Sequence, residues 1–151
     1  MSFELREHTA DVGVAATGAT IGEAFAAVAD GLAAAQCDDV PDGGDHFDVS
    51  ARSESPEALL FDYLDELIYQ RDVRSVLPVE NAATVERSTA EGSPADSEPD
   101  GATDAEWLLT GSARGVPLDR IRAREVKAVT YSQMRIEETA DGWDVYVVFD
   151  V

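Results

Sequence analysis

Two stretches of the chain place apolar residues three or four positions apart, and most of its other apolar residues alternate with polar ones. Ile21, Ala24, Phe25, Val28 and Leu32 follow the helical spacing, behind a Thr20 suited to an N-cap and a Glu23 that completes a capping box. This predicts a helix over about 21–36, rich enough in alanine to pack closely on a sheet. Leu59, Leu60, Tyr63, Leu64, Leu67 and Ile68 form a second, wider apolar stripe behind Ser55 and Pro56, a cap and a first-turn proline. It predicts a helix over about 56–70, ending near Gln70 or Asp72.

Period-2 alternation marks the strands. They are expected at 3–6, 12–16 (closed by Gly18), 47–52, 76–85, 107–114, 126–131, 134–138 and 143–151, the last two joined by an Asp141-Gly142 turn. The order of elements predicts a single α+β domain over residues 1–151, mainly antiparallel sheet packed with two principal helices. Between two of the strands, Glu86 to Glu106 breaks the pattern. Seven carboxylates, one arginine and a run of Ser, Pro, Gly, Thr and Ala mark it as a solvated acidic insertion.

With 44% hydrophobic and 28% charged residues, the 151-residue chain has the composition of one ordinary globular domain. Its charge is another matter. Eleven basic residues against 31 acidic ones leave a net charge of -20, which repels phosphate backbones and argues against direct nucleic-acid binding. Because the carboxylates run through the whole chain and lysine is nearly absent, the acidity reads as adaptation to a salt-rich cytoplasm, where charge repulsion is screened. A single cysteine, Cys37, excludes an intramolecular disulfide and fits a reducing compartment. The N-terminus has no apolar signal region and no run approaches a membrane span, so a cytoplasmic protein is expected.

Lys127 is the only lysine in the sequence, set between Val126 and Ala128 in a strand-like run. Its ammonium has a movable pKa that the arginines lack, which makes it a site candidate; the alternative is a lysine snorkelling at a sheet edge. His8, Asp11, Cys37, Asp38, Asp39 and His46 have none of the spacings of a zinc site, and no loop carries a nucleotide-binding glycine pattern. Nothing near Cys37 would lower its thiol pKa for nucleophilic work. An oxygen-ligand site suits the chain better: Asp11 beside one strand, Asp150 at the end of another and the carboxylate of Val151 could hold a hard divalent cation such as calcium or magnesium.

Taken together, His8-Thr-Ala-Asp11, Gly22-Glu-Ala-Phe25, the run from Ala58 to Tyr69, Glu125 to Tyr131 and the closing Gly142 to Val151 resemble the archease family over nearly the full chain. That resemblance implies a small α+β protein that is not itself an enzyme. Its implied partner is the tRNA-splicing RNA ligase, which joins exons using GTP and a divalent metal, and its role is to promote ligase guanylylation and turnover. It also implies that Asp11, Asp150 and Val151 match metal positions, with calcium the expected ion, that Lys127 matches a lysine needed for activation, and that His8 is a supporting residue. Two departures stand out: Ser132 replaces a common histidine, and the acidic insertion is long. The competing readings are a general chaperone or interaction module and, further off, a stand-alone metal-dependent hydrolase, for which no positioned base or second metal is visible.

Overall fold

The computed structural model describes residues 2–7, 11–37, 39–88 and 106–151. Among these residues, seven strands and two α-helices follow one another as β1 (Ser2–Glu7), β2 (Asp11–Gly18), α1 (Ile21–Gln36), β3 (Asp45–Ser53), α2 (Pro56–Arg74), β4 (Val76–Ser88), β5 (Glu106–Pro117), β6 (Ala128–Thr139) and β7 (Gly142–Asp150). The strands form two antiparallel sheets, in the orders β1-β2-β7-β6 and β3-β5-β4. Both helices pack on them, α1 chiefly on β2 and β4 and α2 chiefly on β3 and β6.

Capping sets both helix starts where the sequence places them. The Glu23 amide donates to Thr20 Oγ1 (3.1 Å), while the Glu23 carboxylate accepts from the amide of Ala19 (3.1 Å). In α2 the Ala58 amide donates to Ser55 Oγ (3.1 Å), and Pro56 occupies the first turn. Helix α1 is buried almost all round, from Ile21 through Phe25 to Ala33, as a helix between two sheets must be. Its small residues permit that approach: a Cβ on Gly22 would meet the Ala83 carbonyl oxygen of β4 at 2.6 Å.

Four expectations need correction. Helix α2 runs to Arg74, past the expected end, because Arg71 stays on the buried stripe and the turn comes only at Ser75, whose φ of 56° is left-handed. The hairpin residues are Ala140 and Asp141, with Gly142 already in β7 opposite Thr139. Gly142 has a φ of 146°, and a Cβ there would lie 2.2 Å from the Gly18 carbonyl oxygen. The strands expected at 126–131 and 134–138 are one strand, β6, interrupted by a bulge. Finally, Glu86, Arg87 and Ser88 pair with Leu108, Trp107 and Glu106, so the ends of the expected insertion are strand; residues 89–105 lie outside the described residues.

One buried polar contact ties α1 to β4. Asp30 Oδ1 accepts from both the backbone and side-chain nitrogens of Asn81 (2.9 Å each), at a bulge that shifts the β4 register between Val79 and Ala82. Burial raises the Asp30 pKa above its ordinary value, outweighing the two hydrogen bonds from Asn81 that lower it. A raised carboxyl pKa means the folded state holds its proton more tightly than the unfolded chain. This group therefore opposes folding at neutral pH, and the penalty fades as pH falls through its folded pKa. Asp30→Asn, which keeps an acceptor and removes the charge, is expected to leave stability at pH 7 within about 1 kcal/mol of the parent or above it. Asp30→Ala strands two donors and is expected to cost about 1–3 kcal/mol. Urea denaturation of the two variants checks both signs, and equal losses would refute the account.

Candidate functional site

The register of three neighbouring strands builds one corner of the larger sheet. Phe149, fully buried, is paired with Val12 of β2 on one side and Val129 of β6 on the other, and all three side chains enter the core. That apolar row fixes the row beside it, since a one-residue slip would turn every side chain to the wrong face. In the next row Asp150 is paired with Asp11 across β2 and with Ala128 across β6. Asp11 thus opens β2 itself, one residue before the strand's expected start. Directly paired residues share a sheet face, so two carboxylates stand side by side.

Lys127 joins them from the other side, although not as a strand residue. Val126 and Val129 are both buried, so the alternation expected through this run slips by one residue between them. Lys127 and Ala128 are left facing outward together, Lys127 exposed and Ala128 half-buried. The Lys127 amide donates to the Asp150 carbonyl oxygen (2.8 Å). The backbone of the lone lysine is thereby fastened to the residue that carries the second carboxylate.

The Asp11 carboxylate is incompletely satisfied. Its Oδ1 is buried and has no hydrogen-bond partner among the described residues. Such an atom costs free energy unless it meets a donor or a cation, and a like charge directly opposite adds to the cost. Val151 follows Asp150 and is half-buried. Among the described residues no group of three or more His, Cys, Asp or Glu side chains is placed to hold a metal ion, so the two paired aspartates have no third such side chain with them. Two hard carboxylates, one with an orphaned oxygen, are the donor type that a divalent cation such as calcium takes. His8 lies outside the described residues.

Beyond Thr130 the strand bulges. Thr130 pairs with Val148 and Arg135 with Tyr146, so five positions of β6 advance against two of β7. Gln133 takes up the excess with a left-handed φ of 60°. Tyr131, exposed, stacks on Phe61 of α2 with ring centroids 4.4 Å apart. Ser132, in place of the histidine that the resemblance leads one to expect, is exposed on this bulge, and its amide donates to Thr130 Oγ1 (3.2 Å).

Sequence reasoning passed over Arg71. It is buried in α2, and its guanidinium reaches the carbonyl of Val126, the residue before Lys127 (3.1 Å). A signal existed: Leu60, Leu64, Leu67 and Arg71 keep the helical spacing of the buried stripe, so an arginine stands where a core residue belongs.

Comparison with known proteins decides the family. Residues 3–151 match the Archease protein family (MTH1598/TM1083). The chain belongs to the archease family. An archease of Pyrococcus furiosus is 31% identical, with 99% of this chain and 98% of that one aligned, and the archease of Methanosarcina acetivorans is 32% identical over 99% and 95%. The solution structure of protein 1598 from Methanobacterium thermoautotrophicum superposes with a TM-score of 0.74 at 27% identity, covering 99% of both chains. An archease of Thermotoga maritima, described as a possible chaperone, shares the fold with a TM-score of 0.59 at 20% identity over 97% and 94%. The expected α+β class is thus the archease fold, two helices on antiparallel sheets. No helix among the described residues is long and apolar enough to cross a membrane.

Proposed function

We propose that this archease-family chain is a cytoplasmic, non-catalytic activator of the tRNA-splicing RNA ligase that promotes its guanylylation and turnover. The corner formed by Asp11, Asp150 and Lys127 is its working end. The observation that carries the reading is the pairing of Asp11 with Asp150 while the Lys127 amide is bonded to the Asp150 carbonyl, which brings three residues far apart in sequence to one corner of the sheet. Calcium is the proposed ion, held by the two aspartates together with Val151, and when bound it would supply positive charge to phosphate oxygens. The chain's own residues do the rest. The strands orient the carboxylates, and the Lys127 ammonium offers mobile donors to a phosphate or carboxylate of the partner. An acidic body with a net charge of -20 would be steered toward a ligase pocket built for RNA and GTP, which must be cationic. The surrounding acidity fits a salt-rich host.

A ligase guanylylation assay tests this. Lys127→Ala and Asp150→Ala are each expected to reduce the stimulated rate by about a hundredfold, the effect of removing one placed charged group. Full stimulation by both variants would sink the assignment. Suppression of aggregation of unrelated proteins, with no effect on ligation, would instead favour a chaperone.

A further inference from the structure

Between the 3-10 turn at Leu118–Arg120 and the start of β6, the chain has no regular structure, yet this segment delivers Lys127. Packing reaches it at Ile121 and at Val126, but does not hold the four residues between them. Residues 122–125 are exposed, and a hollow of about 220 Å³ lies between Leu118, Ala123, Arg124 and Glu125 on one side and Gln36 and Arg71 on the other. Hydrogen bonds do. The Arg124 amide donates to the Gln36 carbonyl at the end of α1 (2.7 Å), and Arg71 Nη1 donates both to Gln36 Oε1 (2.7 Å) and to the Val126 carbonyl (3.1 Å). Gln36 is itself held by a bond from its Nε2 to the Leu32 carbonyl (3.2 Å).

Arg71 is an expensive way to fill this place. Its side chain is 8% exposed, and its one carboxylate partner among the described residues, Asp72 at 3.1 Å, is its chain neighbour and 64% exposed. A buried guanidinium with a half-solvated counterion is often matched in stability by an apolar side chain of similar volume. A favourable charge at the helix C-terminus is already available from Arg74. What an apolar residue could not supply is a rigid donor aimed at the carbonyl next to Lys127.

We propose that Arg71, braced by Gln36, is the positioning residue of the Lys127 site: it pins Val126 from inside the molecule while Asp150 pins the Lys127 amide from the sheet. Lys127 is then fixed on both sides of its own peptide, and its ammonium leaves a stationary backbone. This rests on the reading of Lys127 as the activating residue.

The lone lysine makes the test direct. Reductive ¹³C-methylation of the full chain labels only Lys127 and the N-terminal amine, and Lys127→Arg assigns the two signals. The parent protein is expected to show a narrow Lys127 signal displaced from that of free dimethyl-lysine. In Arg71→Met the signal should move to the free position and ligase stimulation should fall about tenfold, with the melting temperature within about 4 °C of the parent. Gln36→Met, which keeps the guanidinium but removes its brace, should displace the signal part of the way and stands in should Arg71→Met fail to fold. An unmoved Lys127 signal in the folded variants overturns the clamp. Because the signal is read on the isolated protein, a moved signal with undiminished ligase stimulation would leave the clamp standing and refute the role given to Lys127.

Discussion

Phe25→Ala is expected to remove about 3–5 kcal/mol of stability, the range for emptying a buried aromatic site. The ring is wholly buried on α1, in one cluster with Val14 of β2, Leu59 and Tyr63 of α2 and Phe149 of β7. The site collapses poorly, because α1 is enclosed on almost every side and its neighbours belong to two sheets that cannot both move in. Against a total of about 5–15 kcal/mol for a domain, that loss is about a fifth or more of the reserve. Guanidinium unfolding measures it as a fall in midpoint with an unchanged slope. A loss below about 1 kcal/mol would mean that the sheets close around α1, and that its tight packing is not what holds the two layers together. Phe149, which sets the register of Asp11 and Asp150, shares this core, so the variant should also weaken the site.

What the sequence made legible was local. Thr20 with Glu23, and Ser55 with Pro56, announce helix starts by side-chain to backbone bonds that span three residues, and both appear as read. The errors lie where a distant contact overrules a local pattern. Arg71 and Asp72 look like the polar end of a helix until Gln36 and Val126 arrive to occupy the guanidinium. Val126 to Tyr131 reads as regular alternation, but two valines must both reach the core, and the slip between them decides which way Lys127 faces. The left-handed turns at Ser75, Glu80 and Gln133 use residues with no special preference for that conformation, so nothing in their identity reveals them. The pairing of Asp11 with Asp150 was out of reach of periodicity altogether; before the strands were placed, only their carboxylate chemistry at strand ends and the family resemblance grouped them.

That pairing leads to the second large effect, a reversal of sign with calcium. Without a divalent ion, Asp11 and Asp150 are like charges in directly paired positions, an arrangement that costs about 0.2–1 kcal/mol, and the buried Asp11 Oδ1 has no partner among the described residues. Asp150→Asn is therefore expected to melt slightly above the parent in chelator. Under the proposed reading, calcium chloride at a hundred times its dissociation constant stabilises the parent by about 2.7 kcal/mol. For a chain of this length that is a rise of about 5–11 °C. Asp150→Asn, short of a ligand, should show little of it, so the order of melting temperatures inverts between chelator and calcium. Equal calcium shifts in both proteins would remove Asp150 from the ion's shell. Lys127 supplies the last discrimination. If its ammonium balances the carboxylates when no ion is bound, Lys127→Ala should melt below the parent in chelator and gain more from calcium than the parent does. A lysine reserved for the partner alone would leave both numbers where they were.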